Sequence, residues 1–219
     1  DGSPVVIELA MPESRVLRAR IWVAQVGRIP LLLLDSDIPE NDHDMRNVTD
    51  RLYGGDQEHR IKQELLAGVG GVRAIRAYTA IEGIPNPDVF HMNEGHAGFL
   101  GLERIREYVN ADHLDFDTAL AIVRSSTLFT THTPVPAGID RFPRDVVEHR
   151  FGWWFSACGT TIEDLMALGQ DPSAPAGAEL NMAVLALRLS GAANGVSELH
   201  GAVSRRLFES LWPGVPEDE

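Results

Sequence analysis

Polar side chains capable of acid–base or hydrogen-bonding chemistry follow two apolar runs at the points where those runs end. The first run breaks into Asn93, Glu94 and His96, and the second, further along the chain, breaks into His132. Both runs have the length of a strand, and in an open α/β sheet ligands bind beyond the carboxyl ends of the strands. The pattern therefore predicts one side of a polar cleft to which both segments contribute.

These residues are compatible with more than one kind of site. A metal site requires at least three converging ligands, whereas His91 and His96 flank the break between strand and helix, which favours hydrogen-bonding roles. Glu94 and His96 can receive a polar ligand where the backbone N–H groups of the next helix are free. Alternatively, Asn93 or Glu94 simply caps that helix. Their spacing leaves both interpretations open.

His132 lies between two threonines and shortly before Pro134 and Pro136. The prolines keep this backbone extended and outside any helix. A main-chain carbonyl held at a strand end can accept a hydrogen bond from a sugar hydroxyl. The alternative is a turn histidine bonded to nearby backbone. The turn at residues 53–56, which ends at Asp56, matches neither of the common phosphate-loop patterns and is predicted to be an ordinary turn.

Hydrophobic periodicity predicts the elements that position these residues. Strict alternation early in the chain is typical of an antiparallel meander, and spacings of three and four are typical of amphipathic helices. The β-α-α-β order in the middle predicts a Rossmann-like parallel pair, and hence an α/β fold. The predicted strands are residues 4–9, 15–26 and 29–35 and the runs before Asn93 and His132; the predicted helices are 57–78, 97–109, 115–124, 143–155 and 181–194, with a loop at 169–177.

Composition excludes several classes of function. The 219 residues carry a net charge of −13, which repels a phosphate backbone and argues against nucleic acid as a partner. No apolar run is long enough to span a membrane. The single cysteine, Cys158, excludes an internal disulfide and fits a reducing, cytoplasmic setting. Lys62 is the only lysine, so chemistry that needs a Schiff base has one candidate.

Four segments of the sequence resemble the α-glucan (glycogen, starch and maltodextrin) phosphorylases, and in particular their bacterial branch. Asn93-Glu94-Gly95-His96 stands where that branch has the same four residues. The other similar segments run in family order and extend the resemblance over nearly the whole chain. They are residues 51–64, 130–134 and 194–201.

The resemblance implies a function and a set of site residues. Members of this family use inorganic phosphate to release α-glucose 1-phosphate from an α-1,4-glucan, with pyridoxal phosphate bound to a lysine. It implies that His132 approaches the glucosyl residue, partly through its main-chain carbonyl, as the catalytic residue. Asn93, Glu94 and His96 are implied in the same substrate subsite, and Asp56 in a loop at its entrance.

The resemblance also implies the place of this chain in a larger protein. The family has the two-domain glycosyltransferase-B fold, and residues 1–219 match the later part of its first domain: a meander and loop over 1–50, and a Rossmann-like portion over 51–219. The family's cofactor lysine belongs to the other domain and does not match Lys62. We therefore expect that this chain alone neither turns over substrate nor binds the cofactor. The resemblance also implies that the parent enzyme is a homodimer.

Other functions remain open from the residues themselves. A glycogen-synthase-type transferase shares the fold but uses a sugar nucleotide as donor. A glucan-binding module without catalysis is a second alternative. A metal-dependent hydrolase built on His91, Glu94, His96 and His132 is the most distant of the three.

Overall fold

A computed structural model describes residues 2–51, 55–177 and 179–216, and divides the chain into two units, Asp1–Pro87 and Asp88–Glu219. The structure is mixed α/β, with an antiparallel sheet in the first unit and a parallel sheet in the second. Both sheets were predicted from the sequence.

The first unit opens with an antiparallel meander of β1 (Val6–Ala10), β2 (Val16–Val26) and β3 (Ile29–Asp35), in the order β1-β2-β3. Alternate residues of β1, Ile7 and Leu9, are buried and their neighbours are exposed, as expected for a sheet with one face on a core. The predicted meander is confirmed. A short helix, α1 (His43–Arg46), follows it.

The helix predicted for the first unit is present but contains an irregular turn. It consists of α2 (Gln57–Leu65), a π-helical turn (Leu66–Gly70) and α3 (Gly71–Glu82). A Cβ at Gly70 would lie 3.2 Å from the side chain of Ile7 in the meander, so glycine permits the close approach here. The compact unit thus includes these helices together with the meander and ends at Pro87.

The second unit alternates strands and helices around a three-stranded parallel sheet in the order β4-β5-β8. In chain order, its elements are β4 (Phe90–Asn93), α4 (Phe99–Ala111), α5 (Phe116–Ser125), β5 (Thr127–Thr131), β6 (Arg141–Pro143), α6 (Arg144–Cys158), α7 (Ile162–Leu168), β7 (Glu179–Asn181), α8 (Met182–Arg188), β8 (Ala192–Gly195) and α9 (Glu198–Leu207). Strands β6 and β7 form a separate antiparallel pair. The predicted β-α-α-β unit and the loop at 169–177 are confirmed.

Aromatic side chains form the core that supports the sheet of the second unit. Trp154 is fully buried, and its indole N–H donates to the carbonyl of Leu102 at 2.9 Å. Phe151 lies edge-on to Trp154 and 4.8 Å, between ring centroids, from Phe99 at the start of α4. These contacts hold α6 against α4, the helix that follows the first polar strand end.

One predicted helix, over residues 181–194, is partly wrong. Only α8 is helical there, and Ala192–Gly195 forms the strand β8, which pairs with β5. Gly191 separates the two elements, and a Cβ at this position would lie 2.6 Å from the carbonyl oxygen of Arg124. Short runs of alanine and leucine fit a helix and a strand equally well, so periodicity alone could not locate the break.

Candidate active site

The parallel register of β4 and β5 brings the two polar segments together, as predicted. Asn93, the last residue of β4, lies opposite Thr130 of β5, so the residues that follow both strands leave the sheet at the same edge. Met92 is buried, whereas His91 and Asn93 are exposed on the other face, as the two-residue period of a strand requires. Glu94 and His132 therefore meet beyond the carboxyl ends of the strands.

The Glu94 carboxylate joins these two strand ends through three hydrogen bonds. One oxygen, Oε1, accepts from the backbone N–H of Gly95 at 2.8 Å. The other, Oε2, accepts from the backbone N–H of His132 at 2.7 Å and from the hydroxyl of Thr133 at 2.9 Å. Both carboxylate oxygens are thus engaged by the chain. We call this group, Glu94 with Gly95, His132 and Thr133, the Glu94 clamp.

The backbone of Glu94 has a conformation that few residues other than glycine adopt. Its φ is 80° and its ψ is 164°, a region that costs a side-chain-bearing residue about 1–3 kcal/mol. The Glu94 N–H donates to the carbonyl of Thr130 at 2.9 Å, and the clamp holds the side chain. Strain of this kind persists only where surrounding contacts determine it, and it is concentrated at functional sites.

The imidazole of His132 is oriented by Asn93. Its Nε2 hydrogen-bonds to the side-chain oxygen Oδ1 of Asn93. Because an amide oxygen only accepts, Nε2 carries the proton in this arrangement. The backbone of His132 is held by Glu94 and its ring by Asn93, so both strand ends fix this residue.

A second polar network crosses the three parallel strands behind the clamp. The hydroxyl of Thr130 donates to Oδ1 of Asn194 on β8 at 2.9 Å, and His91 Nε2 lies 2.7 Å from the same hydroxyl. Since the single hydroxyl proton goes to Asn194, His91 is the donor to Thr130. One threonine thus links all three strands.

Two other predicted site residues lie outside the Glu94 clamp. His96 is half-buried in the 3-10 turn Gly95–Ala97 that leads into α4. Asp56 belongs to the first unit, where its Oδ1 caps α2 by accepting from the N–H of His59 at 2.9 Å. Tyr53 and Gly54, from the predicted turn before Asp56, lie outside the described residues.

The sequence did not single out the contributions of Thr130 and Thr133. Both are threonines close to His132, but three of the five residues of β5 are threonine, so residue type alone did not mark either of them. Their partners could not be identified, because the register of β5 against β4 and β8 was unknown. The capping interpretation of Glu94 is confirmed, because Oε1 accepts a hydrogen bond from the N–H of Gly95. Capping alone did not predict the hydrogen bonds that Oε2 accepts from His132 and Thr133.

The described ranges offer little support for a metal site, a cysteine nucleophile or a membrane-spanning helix. There, no three His, Cys, Asp or Glu side chains lie where they could hold a metal ion. Burial raises the pKa of the Cys158 thiol to about 12, so this cysteine is not a thiolate nucleophile at neutral pH. No helix of the described part is both long and apolar enough to cross a membrane.

Lys62 is committed to an ion pair in the first unit. Its side chain is buried, and its Nζ lies 2.7 Å from Oδ1 of Asp44. The hydrogen bond from Lys62 is the main cause that holds the pKa of the Asp44 carboxyl below its ordinary value. A buried lysine whose amine is engaged by a carboxylate does not fit a cofactor aldehyde.

Comparison with curated proteins gives consistent similarities over the chain. It is 64% identical over 225 aligned residues to the glycogen phosphorylase of Mycobacterium tuberculosis, with all of this chain but 26% of that protein covered. It is 42% identical to the maltodextrin phosphorylase of Thermococcus litoralis, over all of this chain and 24% of that protein. With the glycogen phosphorylase of Aquifex aeolicus the identity is 30%, over 88% of this chain and 27% of that protein.

No protein-family model matches the sequence. The chain spans about a quarter of the length of these curated relatives. The identity of 64% nevertheless extends over the entire length of this chain. The chain therefore belongs to the glucan phosphorylase family and corresponds to a segment of such an enzyme.

Proposed function

We propose that this chain forms one wall of the active site of an α-1,4-glucan phosphorylase, within the two-domain glycosyltransferase-B architecture. The complete protein would release α-glucose 1-phosphate from glycogen or maltodextrin with inorganic phosphate as the acceptor. The observation that carries the proposal is the 64% identity, over the whole chain, to a protein named glycogen phosphorylase. The single cysteine fits a cytoplasmic enzyme, which we propose to be a homodimer.

The geometry at the strand ends supports a role in substrate positioning. Glu94 fixes the backbone of His132, and Asn93 fixes its ring. The side chain and carbonyl of His132 thus stay where a bound glucosyl residue can meet them. Groups held in place before binding cost no reorganisation during the reaction. In this proposal His132 contacts the sugar, and Glu94 acts through His132.

Asn93, His96 and Asp56 have further roles in the proposal. Asn93 orients His132 and has an exposed side chain that a sugar hydroxyl can reach. His96 would complete the subsite from the turn after Glu94. Asp56, which is exposed at the start of α2, would belong to a loop at the substrate entrance.

The cofactor of the family does not fit the residues of this chain. The only lysine is buried and paired with Asp44, so pyridoxal phosphate would be held by a lysine outside these 219 residues. Without that lysine and the other wall of the cleft, the chain alone is expected to be inactive.

The test is glucose 1-phosphate release from glycogen in the presence of phosphate and pyridoxal phosphate. It is run on this chain and on a longer phosphorylase that contains it. Activity in the longer protein alone supports the proposal. Turnover by the 219 residues themselves would contradict the expected inactivity. Glucose transfer from a sugar nucleotide, with no phosphorolysis by the longer protein, would overturn the assigned reaction.

A variant pair tests the role of His132 in the longer protein. His132→Ala should lower kcat/KM. The expected loss of transition-state stabilisation is about 1–3 kcal/mol, the value of a lost side-chain hydrogen bond to a polar partner. His149→Ala, at an exposed position on α6, is the matched control and should leave kcat/KM unchanged. Equal kinetics for both variants would remove His132 from the site.

A further inference from the structure

Strand β8 is exposed in a way that is unusual for a parallel sheet. Its residues Ala192, Ala193 and Asn194 are exposed and Gly195 is half-buried. In contrast, four of the five residues of β5 are buried. Parallel strands normally have both faces covered. No strand among the described residues pairs with the outer edge of β8, which leaves a row of backbone donors and acceptors available there.

The surroundings of this edge are apolar. Val196 and Leu199, directly after β8, are 52% and 76% exposed, and Trp212 and Val215 are 49% and 54% exposed. We call these four side chains, together with strand β8, the β8 surface. Large apolar side chains grouped beside an unpaired strand edge indicate an interaction site rather than a solvated face.

A groove of about 380 Å³ accompanies the β8 surface. Buried Leu187 and Phe208 line it together with Ala193, Trp212 and Thr131. Thr131 is 4% exposed, and its hydroxyl oxygen has no hydrogen-bond partner within the part of the chain that the structure describes. The lining of the groove is mostly apolar, and the polar residues Asn194, Ser204, Arg205 and Glu209 also line it.

We infer that the β8 surface is the docking site of a further β-strand, from the part of the phosphorylase that lies outside these 219 residues. That strand pairs with the free edge of β8 and places apolar side chains over Trp212 and into the groove. The small residues of β8 leave room for a covering layer on both faces of the sheet.

Two observations favour this occupant. About three quarters of the length of the curated relatives lies outside the matched segment, so ample polypeptide exists to supply a strand. The free groups on β8 are backbone groups in a strand conformation, and these are best satisfied by another strand.

Hydrogen exchange of the β8 backbone tests the inference directly. The 219-residue chain is compared with a longer phosphorylase that contains it, using peptides that cover residues 190–197. In the longer protein the β8 amides should exchange slower by roughly two orders of magnitude, as for amides that open only with a cooperative unit. The amides of β5 serve as the control, because they should be protected in both proteins. Equal exchange of β8 in both proteins would overturn the inference.

A charge-insertion pair provides the second test. Ala193→Arg places a long cation in the groove, and Ala121→Arg places one on the exposed surface of α5. In the 219-residue chain both variants should have nearly the wild-type melting temperature. In the longer protein only Ala193→Arg should lower the melting temperature or prevent folding. Equal behaviour of the two variants in the longer protein contradicts the inference.

A second copy of the chain is the competing occupant. If the 219-residue chain forms a dimer that protects β8 and that Ala193→Arg dissociates, and the longer protein retains that same contact, the surface is a self-association site and the inference is wrong. A monomeric chain with an unprotected β8 agrees with docking of a strand from the longer protein.

Discussion

The two sides of the parallel sheet, one formed by β4 and β5 and the other by β8, differ in how many of their hydrogen-bonding and apolar groups find partners within this chain. On the side of β4 and β5, the Glu94 carboxylate uses both oxygens, and Thr130 is bonded on two sides. On the side of β8, backbone and apolar side chains are exposed, and the hydroxyl of Thr131 has no partner among the described residues. The first side is satisfied by contacts between distant parts of this chain, whereas the second leaves backbone and apolar groups exposed.

The largest expected effect is a difference in unfolding free energy between a substitution in β5 and one in β8. Phe129 of β5 is fully buried, so Phe129→Ala should lower the free energy of unfolding by about 3–5 kcal/mol. Ala193→Ser on β8 should change it by less than about 0.5 kcal/mol, because the site is exposed. Urea unfolding of the 219-residue chain measures both. Comparable losses for the two variants would remove the distinction between the strands.

The next effect concerns the Glu94 clamp and its backbone. Glu94→Ala removes the acceptor for the His132 N–H and the Thr133 hydroxyl, and should cost about 1–3 kcal/mol of unfolding free energy. Glu94→Gly removes the same acceptor but relieves the backbone strain at a φ of 80°. Glycine should therefore be more stable than alanine here by about 1 kcal/mol, the reverse of the usual order. An alanine variant that is the more stable of the two would show that the strain is absent.

Two neighbouring threonines test the same comparison of the two sides by substitution with valine, which has nearly the same shape as threonine. Thr130→Val removes a hydroxyl that bonds both His91 and Asn194, and should cost about 1–2 kcal/mol. Thr131→Val removes a buried hydroxyl without a partner in the described chain, and should be neutral or slightly stabilising. Thermal or urea unfolding of the two variants checks this order. If Thr131→Val is the more damaging change, Thr131 is already satisfied in the chain.

The smallest effect is a local response to acid. Helix α5 is capped by the Asp115 carboxylate, whose pKa is held below its ordinary 3.8 by the N–H and hydroxyl of Thr118. Helix α9, after β8, is capped by the Ser197 hydroxyl, which does not titrate. Because the pKa of Asp115 is lowered on folding, its stabilisation is fully present above about pH 4 and is lost as the pH falls through the lowered value.

Hydrogen exchange near pH 3 and pH 5, corrected for the intrinsic pH dependence of exchange, checks this difference between the helix caps. Protection in the first turn of α5 should fall at the lower pH, while protection in α9 should not. Asp115→Asn retains a capping side chain without a titratable group, and should abolish the acid response of α5. Parallel acid responses of the two helices in the wild-type chain would contradict the assignment.

Much of the side formed by β4 and β5 could be predicted from the sequence. The break from apolar residues into Asn93 and Glu94, and the one into His132, located both strand ends, because the local pattern is strong there. The hydrogen bond between Glu94 and His132 could not be predicted, since it depends on the register of two strands 38 residues apart. The left-handed φ of Glu94 carries no sequence signal, because glutamate rarely adopts it.

The β8 side was predicted less well for a physical reason. A strand buried on both faces is usually recognised by valine and isoleucine, but Ala192, Ala193 and Asn194 have neither the bulk nor the branching of a typical strand. Their small size suits a covering layer and conceals the strand in the sequence. The same property explains why the helix predicted over residues 181–194 extends too far.

The pairing of Lys62 with Asp44 has a practical consequence for the first unit. Eighteen of the nineteen basic residues are arginine, so amine-directed reagents have one side-chain target. That target is buried and ion-paired, so an acylating reagent modifies it only when the surrounding helices open. The rate of labelling at Lys62, followed by intact mass, reports the opening free energy of the meander unit without any engineered probe.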